Sequence, residues 1–358
     1  MRIAQVCPRY YPAIGGVETI VKNISEQLIT LGHTVDVITT DPTGRLPESE
    51  VINGVNVIRF KSFAPHEAFY IAPQIAKYFT HHKYGVIHAH NYHALPAFYA
   101  SMGNKDSGFV FSPYYHGSAH TTFRNLLMTP YRVFGQHIFD VSTHVICISK
   151  CEAKLVERDF EVKNKIDIIP PGIDISDYIP REPDEHLLLY VGRLEEYKGV
   201  QYIVEALVNM PEYQLCIIGS GPYEAKLRAL AIQVGVGNRI QWLHNIPRSE
   251  LVQYYSRAGA AIMLSSHESF GISVAEALAF GVPCVVVDNE NSALGEFIDH
   301  KSCFGVVYPN DIISLIDAIQ YAAKHKKVER IQQVDWQSTV RNIYNVYREA
   351  YISAWYNR

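Results

Sequence analysis

From its first residues the chain alternates short apolar runs of strand type with stretches of helical pattern. Strands are predicted over 3–7, 35–39, 55–60, 86–89, 109–112, 145–148 and 166–169, with helices over 18–30, 73–81, 124–139 and 150–159 between most of them. Such alternation marks βα units and a parallel sheet covered on both faces. Seven strands make one complete sheet. Pro170-Pro171-Gly172-Ile173-Asp174, then Pro180 and the polar Arg181-Glu182-Pro183-Asp184-Glu185, interrupt the pattern with turn formers and charge, which predicts a linker. Alternation then restarts, with strands over 187–191, 215–218, 240–243, 261–264 and 285–287 and helices over 200–208, 223–234, 250–258, 273–279 and 312–325. A second parallel sheet is implied, so the fold class is α/β with domains 1–178 and 179–337. The closing stretch 336–355 repeats Val340, Ile343, Tyr344, Tyr347 and Tyr351 at helical spacing and needs a surface to pack on. In open α/β sheets ligands collect at the carboxyl ends of the strands, and two such sheets facing each other would place one in the cleft between them.

Composition narrows the classes of function. A chain of 358 residues suits two domains of ordinary size, and 48% hydrophobic with 19% charged residues is a globular balance that excludes a disordered protein. The net charge of −4, with neither half basic, excludes a nucleic-acid surface. Six cysteines, mostly in apolar runs and without CxxC or zinc spacing, read as buried thiols of a reducing compartment, so a cytoplasmic location is expected. The N-terminus enters a strand pattern directly, without a basic segment, an apolar core and a cleavage site, and no export is expected. No run approaches the eighteen or more apolar residues of a spanning helix, so any membrane contact would be peripheral.

The densest chemistry lies in 266–283, where Glu268 and Glu276 stand eight positions apart across Gly271. Glu268 follows a strand, Gly271 lets backbone approach a ligand, and Ser273 could cap the helix that follows. Amides at a helix start suit an anion and carboxylate oxygens accept from hydroxyl groups, so a polyhydroxylated, phosphorylated ligand fits; a capped surface helix with two solvated glutamates fits the same spacing. Gly15-Gly16, opening a helix after the first strand, offers amides to a phosphate or a sugar, although such a turn is commonly structural and is not the dinucleotide fingerprint. Gly192-Arg193 and Lys198-Gly199 leave a buried strand end together. A diphosphate is the natural partner for that guanidinium and ammonium, each charged hydrogen bond contributing about 1.5–3 kcal/mol; local pairing with Glu195 and Glu196 is the alternative.

These motifs, with Ile218-Gly219-Ser220-Gly221-Pro222, the Glu268 to Glu276 spacing, Glu276-Ala277-Leu278-Ala279-Phe280-Gly281-Val282-Pro283, Gly15-Gly16-Val17-Glu18 and Pro171-Gly172-Ile173-Asp174, together resemble the retaining GT-B glycosyltransferases of family 4, the glycosyl transferases group 1. The resemblance spans nearly the whole chain. It implies two Rossmann-like domains facing across a cleft, an acceptor domain over 1–178 joined by a last helix over 338–358, and a donor domain over 179–337. It implies transfer of a hexose from a nucleotide-diphosphate sugar to a hydroxyl of a glycan, a lipid-linked sugar or a small metabolite, with no metal and no other cofactor. By the resemblance, Arg193 and Lys198 hold the departing diphosphate, Glu268 holds the sugar, and Glu276 holds the ribose. The backbone at Phe270, Gly271 and Ile272, with Gly192 and Gly219, supports sugar and phosphate, and Gly15 and Gly16 close from the other domain. His116, after the fifth strand, stands where the family keeps a histidine near the reacting sugar; a polar residue capping a strand end is the plainer reading.

The chain departs from the family at His244, where a glycine is usual near the nucleobase, and at Asn291-Ser292, where a glycine pair is usual before Glu296. The nucleotide is therefore open. His88, His90 and His93 lack Cys or carboxylate partners at ligand spacing and read as a strand-end cluster on the acceptor side rather than a metal site. No Asp or Glu occurs in 107–139, where Phe123, Arg124, Arg132, Val133 and Phe134 suit an acceptor or membrane-surface helix and equally core packing. Two other functions share the architecture, a nucleotide-sugar epimerase and a non-catalytic nucleotide-sugar-binding subunit.

Overall fold

The computed structural model describes residues 1–13, 15–65, 69–117, 122–176, 182–325 and 335–356, with 122–131 as backbone only. The chain divides into two units, Met1–Gly172 with Val334–Arg358, and Ile173–Gln333. The division thus falls after Gly172, where the sequence reading places it after 178; residues 177–181 of the expected linker lie outside the described residues.

The first unit runs β1 (Arg2–Val6), α1 (Gly16–Thr30), β2 (Thr34–Asp41), β3 (Ser49–Ile52), β4 (Val55–Lys61), α2 (Gln74–His81), β5 (Val86–His90), α3 (Pro96–Gly103), β6 (Gly108–Ser112), α4 (Thr122–Val141), β7 (His144–Cys147), α5 (Lys150–Asp159) and β8 (Lys165–Ile168). Its sheet has the order β3-β4-β2-β1-β5-β6-β7-β8. Ile3, Val35, Val37, Val86, Ala89 and Phe109 have no exposed surface, the condition of strands covered on both faces. The expected seven parallel strands become eight, because β3 pairs antiparallel with β4. Asn53 and Gly54, at φ 50° and 83°, make the hairpin turn, since two left-handed residues match the twist of the strands they join.

The second unit runs β9 (Asp184–Val191), α6 (Val200–Ala206), β10 (Gln214–Ile218), α7 (Glu224–Gln233), β11 (Ile240–Leu243), α8 (Arg248–Arg257), β12 (Ala258–Met263), α9 (Ile272–Ala279), β13 (Cys284–Val287), β14 (Cys303–Val306) and α10 (Ile312–Ala323). All its described pairings are parallel, in the order β11-β10-β9-β12-β13-β14. The sequence reading misses β14, a four-residue strand interrupted by Gly305.

The last helix, α11 (Trp336–Tyr356), returns to the first unit and packs on α1, β5 and β6. At Gly108 a Cβ would come within 2.6 Å of the Ala350 backbone, so the helix lies directly on the start of β6. Tyr347, fully buried, accepts from the Gln5 amide at 2.9 Å and bonds His88 Nδ1 at 2.7 Å. His88 Nε2 meets Ser112 Oγ at 2.9 Å, and His90 meets Gln5 Oε1 at 2.7 Å and the Tyr114 hydroxyl at 3.1 Å. The expected acceptor-side role for these two histidines is corrected: both have zero exposure and serve to seat α11. Burial disfavours the imidazolium and pushes His90 down to about 3 and His88 well below its ordinary value. None of the described helices is long and apolar enough to cross a membrane.

Candidate functional site

In the second sheet β9 is flanked by β10 and β12, and the strand order runs outward from it in both directions. Such a reversal of strand order is where ligands collect in open α/β sheets, at the carboxyl ends of the strands. Lys198 lies in the loop leaving β9 and Glu268 in the loop leaving β12, and the lysine Nζ donates to Glu268 Oε1. The Ser266 amide also donates to the Tyr197 carbonyl at 2.9 Å, fixing the two loops together. Lys198 ends the short 3-10 turn Glu196–Lys198, and Gly199 follows at φ 73°. A Cβ there would meet the Leu264 carbonyl oxygen at 2.6 Å, so only glycine lets the lysine's turn lie on the end of β12. Burial disfavours the ammonium, yet the Glu268 carboxylate outweighs it and holds Lys198 above its ordinary value. The result is a seated, charged cation beside a carboxylate.

Arg193 is placed differently. Its side chain is 74% exposed and Nη2 donates to Glu195 Oε1 at 2.9 Å, the local pairing that the sequence leaves open; its charge reaches Lys198 as a repulsion. Gly192 and Gly219 bring their own loops together, the Gly192 amide donating to the Ile218 carbonyl at 3.0 Å. A Cβ on Gly219, at φ 150°, would lie 1.9 Å from the Gly192 carbonyl oxygen, so close backbone approach explains that glycine.

Helix α9 starts from Gly271 at φ 95°, which is its N-cap. The expectation that Ser273 caps the helix is corrected: Ser273 lies inside the first turn with Oγ 3.5 Å from Met263 Sδ. A Cβ on Gly271 would meet Leu294 Cδ2 at 2.4 Å. Phe270 and Ile272 pack against Ile173, Ala275 and Ala279, so their side chains are spent on the core and their backbone is what they offer a ligand. The first amides of α9 have no acceptor within the helix and carry its positive end.

Glu276 is clamped by two residues that the sequence reading misses. Arg248 Nη1 donates to Oε1 at 2.5 Å, the Tyr255 hydroxyl donates to Oε2 at 3.0 Å, and Arg248 Nη2 donates to the Asp174 carbonyl at 2.6 Å. Burial works against the Arg248 charge, but Glu276 outweighs it and raises its pKa; burial, then Glu276, pushes the Tyr255 phenol well up. The available signal is spacing: Pro247 precedes α8, and Arg248 and Tyr255 stand seven residues apart on one of its faces. The Asn291-Ser292 departure has a structural counterpart, since Ser292 Oγ donates to the Ser265 carbonyl at 3.0 Å and the Ala293 amide donates to the Glu268 carbonyl at 2.8 Å. His244 lies on Glu224 at 3.0 Å.

Gly15, Gly16 and His116 belong to the first unit. Gly15 is the N-cap of α1, and a Cβ on it would meet Glu18 Oε2 at 2.3 Å; that carboxylate accepts from Arg9 Nε at 2.8 Å. Gly16 has nothing within 4 Å of a Cβ and is the uncovered member of the pair. His116 follows β6, its ring stacked on His93 with centroids 4.4 Å apart.

The model of glycosyltransferase family 4 matches residues 14–177, and that of glycosyl transferases group 1 matches residues 174–337. An uncharacterized glycosyltransferase of Methanocaldococcus jannaschii is 29% identical over 98% of this chain and 98% of its own length. The alpha-monoglucosyldiacylglycerol synthase of Streptococcus pneumoniae is 25% identical over 99% of this chain and 87% of its own. Among solved structures, Anabaena HepE, crystallised with UDP and glucose, superposes with a TM-score of 0.74 at 19% identity, over 98% of this chain and all of that one. With two α/β units, a seated Lys198–Glu268 pair at the strand ends of the second, and family models that together span residues 14–337, the chain belongs to glycosyltransferase family 4, the glycosyl transferases group 1, and is a glycosyltransferase of GT-B fold.

Proposed function

We propose that this enzyme moves a hexose from a nucleotide-diphosphate sugar to an acceptor hydroxyl with retention of configuration and without a metal ion. The observation that carries the reading is the seated Lys198–Glu268 pair at the switch point of the second sheet. Departure of a nucleoside diphosphate builds negative charge on oxygen, and a cation already in place stabilises that charge without reorganising. Lys198 takes this role, with Arg193 free to leave Glu195 for the diphosphate; Glu268 receives the sugar hydroxyls, Glu276 the ribose, and the amides of Phe270, Gly271 and Ile272 the phosphate. Gly15, Gly16 and His116 serve the reacting sugar from the first unit. Attack on the face from which the diphosphate leaves, with the leaving phosphate taking the acceptor proton, gives retention without a covalent intermediate. The HepE complex with UDP and glucose supports a nucleotide-sugar donor. The Methanocaldococcus jannaschii relative is named a glycosyltransferase and the Streptococcus pneumoniae one a synthase, which does not favour an epimerase or a binding subunit.

The test is release of nucleoside diphosphate from UDP-, GDP- and ADP-sugars in excess chelator. Turnover should persist there, and Lys198→Ala and Glu268→Ala should each lose at least about a hundredfold, the scale of removing one positioned electrostatic group. Wild-type rates in both variants would sink the assignment, and loss of turnover with chelator would sink the metal-free step.

A lipid-linked acceptor is supported by the diacylglycerol named in one relative and by exposed Val133 and Phe134 on α4. The remainder of that predicted surface, the side chains of 122–131, lies outside the described residues. Cosedimentation with anionic vesicles should be lost in Val133→Asp/Phe134→Asp; binding unchanged by those substitutions rejects this surface.

A further inference from the structure

The loop that carries His116 is held by a carboxylate that the reaction itself does not call for. Strands β6 and β7 pair only at Val110 with His144 and Phe111 with Val145, whereas β5 and β6 stay paired to His90 with Ser112, and β7 and β8 to Cys147 with Ile168. The sheet therefore splits between β6 and β7 at its carboxyl end. Into that split comes Glu152, from the first turn of α5, with zero exposure. Its Oε1 accepts from the Tyr115 amide at 2.7 Å and its Oε2 from the Ile148 amide at 2.7 Å, one oxygen for each diverging strand. Glu152's own amide donates to Ser149 Oγ at 3.0 Å, so the helix cap fixes where the carboxylate begins.

The segment so held is strained. Tyr114 sits at φ 49°, a left-handed conformation that a tyrosine keeps only when its surroundings over-determine it, and such residues gather at functional sites. His116 is two residues further on. An amide side chain would present one acceptor and one donor to two N–H groups, whereas an ionised carboxylate presents acceptors alone; burial pushes Glu152 up to about 8 against the pull of these amides, so that acceptor-only form is complete above that pH. Glu152 is thus matched to bridge two strand ends that the sheet no longer joins.

We propose that Glu152 is a positioning residue for His116, tying the ends of β6 and β7 so that the strained Tyr114-Tyr115 segment presents the histidine in one place. The inference rests on the proposed role of His116 at the reacting sugar. In Glu152→Gln, hydrogen exchange in peptides spanning Tyr115 and Ile148 should accelerate together, and the His116 ring resonances, assigned by their loss in His116→Ala, should shift. Nucleoside diphosphate release from the sugar nucleotide turned over by wild type should fall about 10- to 100-fold, the scale of a small misplacement of a reacting group, with donor KM unchanged. Glu152→Gln/His116→Ala should be no slower than His116→Ala alone. Unchanged exchange and ring resonances, or a second full loss on top of His116→Ala, overturns the proposal. His116→Ala turning over at the wild-type rate overturns instead the role of His116, while exchange and resonances still decide whether Glu152 holds the loop. Should Glu152→Gln not fold, the wild-type exchange decides: both amides slow supports the tie, and either one fast overturns it.

Discussion

Glu276 shows how a residue can be evident while its surroundings are hidden. The eight-residue spacing from Glu268 across Gly271 is a local pattern, visible in one stretch of sequence. Arg248 and Tyr255, which occupy both of its oxygens, come from the helix that precedes β12 in the chain, and no local period connects them with α9. Carboxylate oxygens each have two acceptor positions, so Glu276 can keep these donors and still receive a ribose. Tyr255→Phe should therefore raise donor KM several-fold and leave kcat near wild type, because fixing Glu276 aids ground state and transition state alike. A loss confined to kcat would reject that role. Gly219 teaches the converse lesson: its glycine is legible as part of a motif, but the structure explains it by the neighbouring loop's carbonyl.

At the scale of elements, apolar runs locate nearly every buried strand, because strands covered on both faces must read that way. What escapes are elements with another reason to exist. Strand β3 sits at a sheet edge and alternates exposed with half-buried positions, and its only strong signal is the Asn53-Gly54 turn. Helix α3, with Pro96 at its start and Ala97, Phe98, Tyr99 and Ala100 in succession, has no polar face to set a helical period. Helix α11 is legible as amphipathic, but not the polar seat beneath it. That seat has a pH signature. Native His88 and His90 stay neutral, while the unfolded chain binds protons below the ordinary value near 6.5, so stability is lost as pH falls from there toward the native value of about 3 for His90. At about 1.4 kcal/mol per pH unit for each group, pH 5 should cost roughly 2 kcal/mol per histidine. Glu152, which burial holds up to about 8, contributes in the opposite direction over the same range. The loss is therefore read as the difference between wild type and His88→Gln/His90→Gln in urea unfolding of the first unit at pH 7 and pH 5, and the same pH dependence in both proteins would contradict the neutral seat.

For the whole molecule, two sheets of one architecture were legible from alternation alone, as was a break in the Pro170 region. The proposed donor half of the site could be read from sequence because its residues follow strand ends within one unit. The second unit is continuous in sequence and has its own core from Leu187 to Ala323, whereas the first is closed by α11. A chain stopped at residue 333 should keep the second unit and loosen the first. Of three tryptophans, Trp336 and Trp355 lie in α11 and Trp242 in the second unit, so the shortened chain's fluorescence follows that unit alone. It should melt near the wild-type temperature of that unit, while hydrogen exchange in β5 and β6 becomes fast; protected β5 and β6 would show that α11 is dispensable.

The return of α11 also sets an order of assembly during synthesis. Domains ordinarily fold from the N-terminus as they leave the ribosome. Here the residues that seat Tyr347, Gln5 and His88, emerge more than two hundred residues before it and bury their polar groups only when it arrives. The second unit can be finished while the first still waits for its last helix, so the nascent chain carries an open, polar-lined sheet face through most of its translation and is the form that a chaperone would meet.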